Sequence, residues 1–513
     1  MPSLLSSVPT SQSRRGYLLL LSLVLLVGAA KPILYDTLDP DCFWHLRVGE
    51  QLLRDGIHPL HDSLSFASIR EPWTPYSWVA EIAMFKLWAI GGYRAAILTT
   101  TLLITAILIF TAMSAREMAR ADEDRPARYL ATVISVVFAA WLSLPYLSFR
   151  PVTAAICCLA AGVWLLLRDR RLGERSAAVW WLVPLTMLII NLHLFAILIP
   201  IWCGTLFLGA IIEQYPSTAA STKLELRRRT RRYALLTGLT LIACLFTPML
   251  PGLLTTIHHY SLRDPMVASS VISEMQPFWH GAMGKVSLGL VLLSVGCAVR
   301  SRAALRPGNV LLLIVTAVLL LWMGRFAPIY ALIAAPVLAV TLPQLSDRAI
   351  CNPLLQGSMA LILLCALART FATIPTAGMP VASWLNRHGP DAPGYPVDAA
   401  NFIAAHCPAR SGRLINEFTW GGYLAWRLGD HFQILLDGRT QLYSPEFWNS
   451  VYLGNQDSRR KYLATAHADA AVLPVTKSRF RDSLLSLGWT SIYRDVRAEV
   501  LIPPADIAAI EDQ

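Results

Sequence analysis

Two carboxylates flank a single proline at Asp39-Pro40-Asp41. Pro40 biases Asp39 toward an extended backbone, and in an extended chain residues i and i+2 point the same way. Both acids can therefore face one cavity. There they could supply a general base or oxygen ligands for a divalent cation such as Mg or Mn. A plainer reading makes Asp41 a helix cap and Asp39 a loop acid. The surroundings favour chemistry. The pair directly follows a long apolar run, and Trp44, His45, Arg47, Asp62, Trp73, Trp78 and Glu81 share its loop. Acids at a lipid–water boundary are costly unless they are paired, metal-bound or used.

A second set is scattered along the chain: Arg150, His193, Glu274 and Arg325. Arg150, His193 and Arg325 each lie at the end of an apolar run, and an arginine fork can hold an anion through two parallel hydrogen bonds. The competing readings are headgroup snorkelling for Arg150 and Arg325, a carbonyl-bonded turn residue for His193, and an ordinary loop acid for Glu274. His258, His259 and His280 share one loop, but they lack HxxxH or HExxH spacing.

These residues must be positioned by membrane helices. The 513-residue chain is 55% hydrophobic and 15% charged, with a mean hydropathy of +0.49. A soluble chain of this size carries about 25% charge. Apolar runs near 17–35, 94–115, 128–146, 151–168, 177–192, 193–213, 233–250, 286–299, 308–324, 326–343 and 356–373 predict about eleven spans. Arginines before span one, between two and three, after four, before seven and after eight all fall on one side, which positive loops make cytoplasmic. The N-terminus is then cytoplasmic, with its first helix retained rather than cleaved as a signal peptide. The loops 36–93 and 251–285, the turns at Arg150, His193 and Arg325, and the tail take the other side.

The net charge of +11 follows from that loop bias. It does not indicate nucleic acid, because no phosphate loop, zinc finger or RNA-binding aromatic signature accompanies it. Of nine cysteines, only Cys42 and Cys407 fall in outer segments, and spacing alone gives no geometry for pairing them.

In the loop 36–93, Asp41 is placed to cap a helix running to about Arg54. Phe43, Trp44, Leu46 and Leu53 form its apolar side, Arg47, Glu50 and Arg54 its wet side, and Gly56 ends it. Ser77 is placed to cap a second helix along the membrane interface. After residue 373 polar residues return. Short runs of β character (RLINEF, FQILLDG, AAVLPV, EVLIP) alternate with helical ones (VDAANFIAAH, RRKYLATAHA, RFRDSLLSLG), which predicts a small α/β domain over 374–513 behind a membrane domain over 1–373.

The loop sequence DPDCFWHLRVGEQLLRDGIHPLHDSLSFASIREPWTPYSWVAE resembles the first outer loop of bacterial membrane glycosyltransferases of the C-type (GT-C) superfamily. Arg150-Pro151, Asn191-Leu192-His193, Ser273-Glu274 with Gln276-Pro277, and Arg325 also resemble patterns of that group. In the tail, Trp420-Gly421-Gly422-Tyr423 followed by Asp437-Gly438-Arg439-Thr440 looks distantly like the Trp-Asp-Tyr-Gly region of oligosaccharyltransferases, but without its Asp.

The resemblance implies a multi-pass protein of the bacterial inner membrane with a periplasmic or extracellular tail. Its partners would be a polyprenyl-phosphate-linked sugar donor, membrane lipids, and a lipid, glycan or protein acceptor. The base would be Asp39 or Asp41, with Glu81 in reserve. His45, Arg150, His193, Glu274 and Arg325 would bind substrate and phosphate. Alternatives are a flippase for a lipid-linked glycan, transfer of a whole oligosaccharide, and a scaffold without catalysis.

Overall fold

The computed structural model describes residues 11–34, 38–69, 72–120, 128–215, 220–262, 265–269, 271–343, 347–368, 394–407 and 409–504. Tyr35, Arg125, residues 369–373 of the last expected span and the expected boundary at 373–374 lie outside them. By contact the chain groups into two compact units. The first is built from 1–35, 97–247 and 273–384, the second from 36–96, 248–272 and 385–513.

The first unit is a helical bundle. Each expected span coincides with a helix over much of its length. Among the described residues, seven helices are long and apolar enough to cross a membrane, and three shorter apolar helices accompany them. The helix Ala220–Ala243, at the expected seventh span, carries the basic segment in its N-terminal half. At the centre lies Ala327–Thr341, every residue of which is buried. A polar crossbar, Ser294 to the Tyr330 hydroxyl at 2.7 Å, spans the interior.

The basic loops meet at one end of this bundle. Arg171 pairs with Glu117, Arg232 with Asp169, and Arg229 and Arg306 both with Glu174. Arginines from three of the five groups predicted to share a side, and Glu117 beside a fourth, are thus linked by ion pairs. Arg150 and Arg171 bracket the 21-residue helix Pro151–Arg171, so the two ends of the bundle stand roughly 30 Å apart along it.

The second unit joins the first loop to the tail. Its mixed sheet has the order β2-β1-β3-β5-β4, from β1 (Gly412–Asn416), β2 (Phe432–Ile434), β3 (Ala470–Pro474), β4 (Thr490–Arg494) and β5 (Ala498–Ile502). β1 pairs parallel with β2 and β3, and β5 antiparallel with β3 and β4. The four expected runs are β1, β2, β3 and β5. β4 (TSIYR) was not expected, because it is a mostly exposed edge strand without alternation.

The first loop extends the β2 edge. Ile434 N donates to Leu64 O at 2.8 Å, and Phe66 N donates to Ile434 O at 3.1 Å. One hydrophobic cluster runs through Trp44, Trp73, Met249, Tyr443, Trp448 and Phe480, so loop, inter-helix segment and tail share a core. Each buried aromatic removes ~150–250 Å² from water, worth about 4–6 kcal/mol at ~25 cal/mol per Å² as an upper estimate.

Candidate functional site

The first-loop helix spans Asp41–Asp55 and ends at Gly56, whose φ of 101° suits glycine. Its start corrects one expectation. Pro40 is the cap residue and is itself helical, so Asp41 is the first residue of the helix and not its cap. Instead Asp39 accepts the Asp41 N–H at 3.1 Å, and Asp41 accepts the Trp44 indole N–H at 3.1 Å. The helix is also more deeply buried than its pattern predicts. Arg47 is 6% exposed and Leu53 46% exposed, against expectation, while Phe43, Trp44 and Leu46 are buried and Arg54 is exposed as expected. Arg47 pairs with Glu50 and with Asp430 of the tail, because Gly421–Leu428 packs along this helix.

The glycines of the tail make that approach feasible. A Cβ on Gly422 would stand 2.7 Å from the Pro40 carbonyl, and one on Gly438 would stand 1.9 Å from Asp41 Oδ1. The Trp-Gly-Gly-Tyr and Asp-Gly-Arg-Thr turns thus close around the Asp-Pro-Asp segment. Tyr395 packs against the same segment, donating from its hydroxyl to Leu38 O at 2.6 Å and stacking on Tyr423.

Behind the pair lies a buried ionic network. Arg439 holds Asp437 at 2.7 Å and Asp62 at 2.8 Å, with these side chains 0–2% exposed. Its guanidinium carbon stands 5.3 Å from the centre of the Trp73 ring. Sequence reading quoted Asp437 and Arg439 without a role. The one available signal was two opposite charges bracketing a glycine after a β run.

Glu81 belongs to the short helix that begins at Trp78 and breaks at Gly92 (φ 53°), ahead of the spanning part. It meets His45 at 2.9 Å and is 1% exposed. Burial pushes its carboxyl up to about 8, against a smaller pull from Arg439. Its Oε2 has no hydrogen-bond partner among the described residues. A carboxyl in that state is mostly neutral at pH 7.

In the first unit, the scattered set converges. Glu274, in the turn Ser273–Met275, takes Arg150 at 3.2 and 3.4 Å and Arg325 at 4.0 Å. Burial alone would raise the Glu274 carboxyl, but the two guanidiniums hold it down at about 2. His193 accepts the Phe195 N–H at 3.2 Å. Burial, then Arg325 and Arg150, push its imidazole well below the ordinary range, so the ring is neutral. The Phe195 ring lies beneath Arg325. Arg150, Glu274 and Arg325 keep 14%, 25% and 20% of their side chains exposed. Two guanidiniums thus share one carboxylate among the described residues.

Asp39, Asp41, His45 and Glu81 therefore lie in the second unit, and Arg150, His193, Glu274 and Arg325 gather in the first. Among the described residues, no three His, Cys, Asp or Glu side chains are grouped as metal ligands.

No family model matches the sequence, and no curated protein does. Solved structures do. ArnT from Cupriavidus metallidurans is 14% identical, with a TM-score of 0.53 over 94% of this chain and 97% of its own. The structure of ArnT bound to undecaprenyl phosphate matches equally. The oligosaccharyltransferase of Archaeoglobus fulgidus is 13% identical, with a TM-score of 0.51 over 89% of this chain and 69% of its own. The multi-pass chain therefore has the fold of the GT-C glycosyltransferases, the resemblance first read in the loop after Asp39.

Proposed function

We propose that the protein transfers a sugar from a polyprenyl-phosphate donor to an acceptor at the outer face of the bacterial inner membrane. The observation that carries this reading is the GT-C fold over nearly the whole of this chain and of ArnT, which was solved with undecaprenyl phosphate bound. The proposed topology has eleven crossings, with the N-terminus in the cytoplasm and the tail outside.

The chemistry suits the residues. Phosphate leaves an anomeric carbon without a general acid. The reaction needs a base for the acceptor hydroxyl and cations for the leaving group. Asp39 or Asp41 is the proposed base, in a single inverting displacement. Glu81 suits the role less, being buried, protonated to about pH 8 and engaged with His45; we assign it and His45 to supporting the first-loop helix. Arg150 and Arg325 are the proposed phosphate ligands, positioned by Glu274, with neutral His193 as a hydrogen-bonding neighbour.

The test uses the full chain in lipid nanodiscs, a panel of polyprenyl-phosphate sugars and an extract of envelope acceptors, and reads release of polyprenyl phosphate. Release that is abolished by Asp39→Asn or Asp41→Asn supports the reading. Equal release in both variants moves the base elsewhere. Donor that crosses the bilayer intact replaces the reading with a flippase, and consumption of oligosaccharide donors alone replaces it with en bloc transfer. An EDTA arm tests for a divalent cation. Loss restored by Mg or Mn assigns the ion to Asp39 and Asp41, and unchanged release leaves the carboxylates to act alone.

A further inference from the structure

At the basic end of the first unit a small cavity lies among the helices. It measures about 40 Å³, and Arg170, Trp202, Arg229, Arg306, Asn309 and Ile333 line it. The space suits about three water-sized groups at ~10–15 Å³ each, far below the ~300 Å³ at which pockets for drug-sized ligands begin. Arg306 keeps 37% of its side chain exposed, which gives the cavity a wall that meets solvent.

The three guanidiniums are unequally served. Glu174 and Glu213 both pair with Arg229, and Glu174 also pairs with Arg306. Two carboxylates thus match two guanidiniums. Arg170 stands outside this arrangement. Among the described residues it has no carboxylate within 4 Å. Its side chain donates to the Asn309 amide oxygen, and its buried Nε has no partner. A guanidinium in a low-dielectric interior without a counter-charge is costly.

The other polar groups at the wall are also donors. The Trp202 side chain is 0% exposed, and its Nε1–H has no partner among the described residues. Asn309 spends its amide oxygen on Arg170, so its amide N–H groups are its remaining capacity. The helix Pro307–Trp322 begins here, with Gly308 and Asn309 of its first turn in the wall. The positive end of a helix favours an anion. A cation would meet three guanidiniums. Water would serve the N–H groups but leave the Arg170 charge uncompensated. A phosphate needs donors on every side, whereas Leu312, Ile333 and Pro336 make much of the wall apolar. A small, weakly hydrated, monovalent anion meets all these conditions.

We propose that this cavity binds one halide-sized inorganic anion against Arg170, in place of the carboxylate that Arg170 lacks. The ion then helps to hold the helices Pro151–Arg171, Leu198–Gln214 and Pro307–Trp322 together at this end, whatever the chemistry at the other. The test uses the full chain in nanodiscs of neutral lipid and sodium gluconate, with chloride or bromide replacing gluconate at constant ionic strength. The readouts are the melting temperature and the ³⁵Cl NMR linewidth. A saturable rise of a few degrees is expected at about a hundredfold excess over Kd, with line broadening that bromide competes away. Arg170→Met should abolish both signals and Arg170→Lys should keep them. Arg54→Gln, at an exposed arginine of the second unit, should change neither. If Arg170→Met does not fold, Trp202→Phe takes its place. It removes one N–H donor and should weaken binding about fivefold, the worth of roughly one hydrogen bond. A wild type that responds alike to chloride and gluconate, or a halide response undiminished in whichever of these two variants folds, overturns the proposal.

Discussion

The two units carry ionic clusters of opposite design. In the first, two arginines share one glutamate, and all three side chains keep 14–25% exposure. In the second, one arginine is held by two aspartates at 0–2% exposure. The first keeps open surface at both of its guanidiniums. The second is closed, with its guanidinium committed to carboxylates on either side. A buried charge set of that kind is weak evidence for added stability, yet removing one member leaves the others uncompensated. The contrast separates a cluster suited to a ligand from one suited to holding the first loop against the tail.

The sharpest way to break the contrast is Arg439→Met. It strands Asp62 and Asp437 in the interior, and the expected cost is about 3–5 kcal/mol, read as a collapse of folded yield and melting temperature. A melting curve like that of the wild type would show that the network does not hold the unit together. Next comes Gly438→Ala. Its Cβ would stand 1.9 Å from Asp41 Oδ1, so the aspartate or the turn must shift. We expect about 1–3 kcal/mol of destabilisation, within the range of overpacking, and a larger fractional loss of turnover than of folded protein.

Arg150→Gln and Arg325→Gln sharpen the other side. Each leaves Glu274 one arginine, so the melting temperature should move little, while the KM for donor rises about tenfold or more, in line with a lost charge-assisted bond. A large fall in stability with unchanged KM would make this cluster structural as well.

The pH effects have opposite signs. The Glu274 carboxyl is held at about 2, below its ordinary 4.5. Its contribution is complete above pH 4.5 and fades as pH falls toward 2. The Glu81 carboxyl is held at about 8. The folded state keeps a proton that the unfolded chain has released, so stability falls as pH rises from 4.5 to 8. Denaturant midpoints across these windows should lose the acid slope in Glu274→Gln and the alkaline slope in Glu81→Gln.

Much of the first unit was legible in the sequence. Arg150, His193 and Arg325 stand out because little polar chemistry surrounds them at the ends of apolar runs, and basic loops report their own side. Their meeting on Glu274 was not legible, since it depends on how helices distant in sequence pack. The second unit hid more. Arg47 reads as a wet residue because its partner Asp430 lies 383 positions away. The closeness of loop and tail is written in side chains that are absent, at Gly422 and Gly438. The edge strand β4 lacks the alternation that reveals a strand.

The central claim is sugar transfer from a lipid phosphate, with an acid at Asp39 or Asp41 as base. The most direct measurement follows a donor carrying ¹³C at its anomeric carbon, by NMR, in nanodiscs with acceptor. The account predicts that the signal moves to a new glycoside of opposite anomeric configuration with the wild type, and stays on the phosphate with Asp39→Asn or Asp41→Asn. A wild-type signal that stays on the phosphate with every donor, or a glycoside of retained configuration, would contradict it.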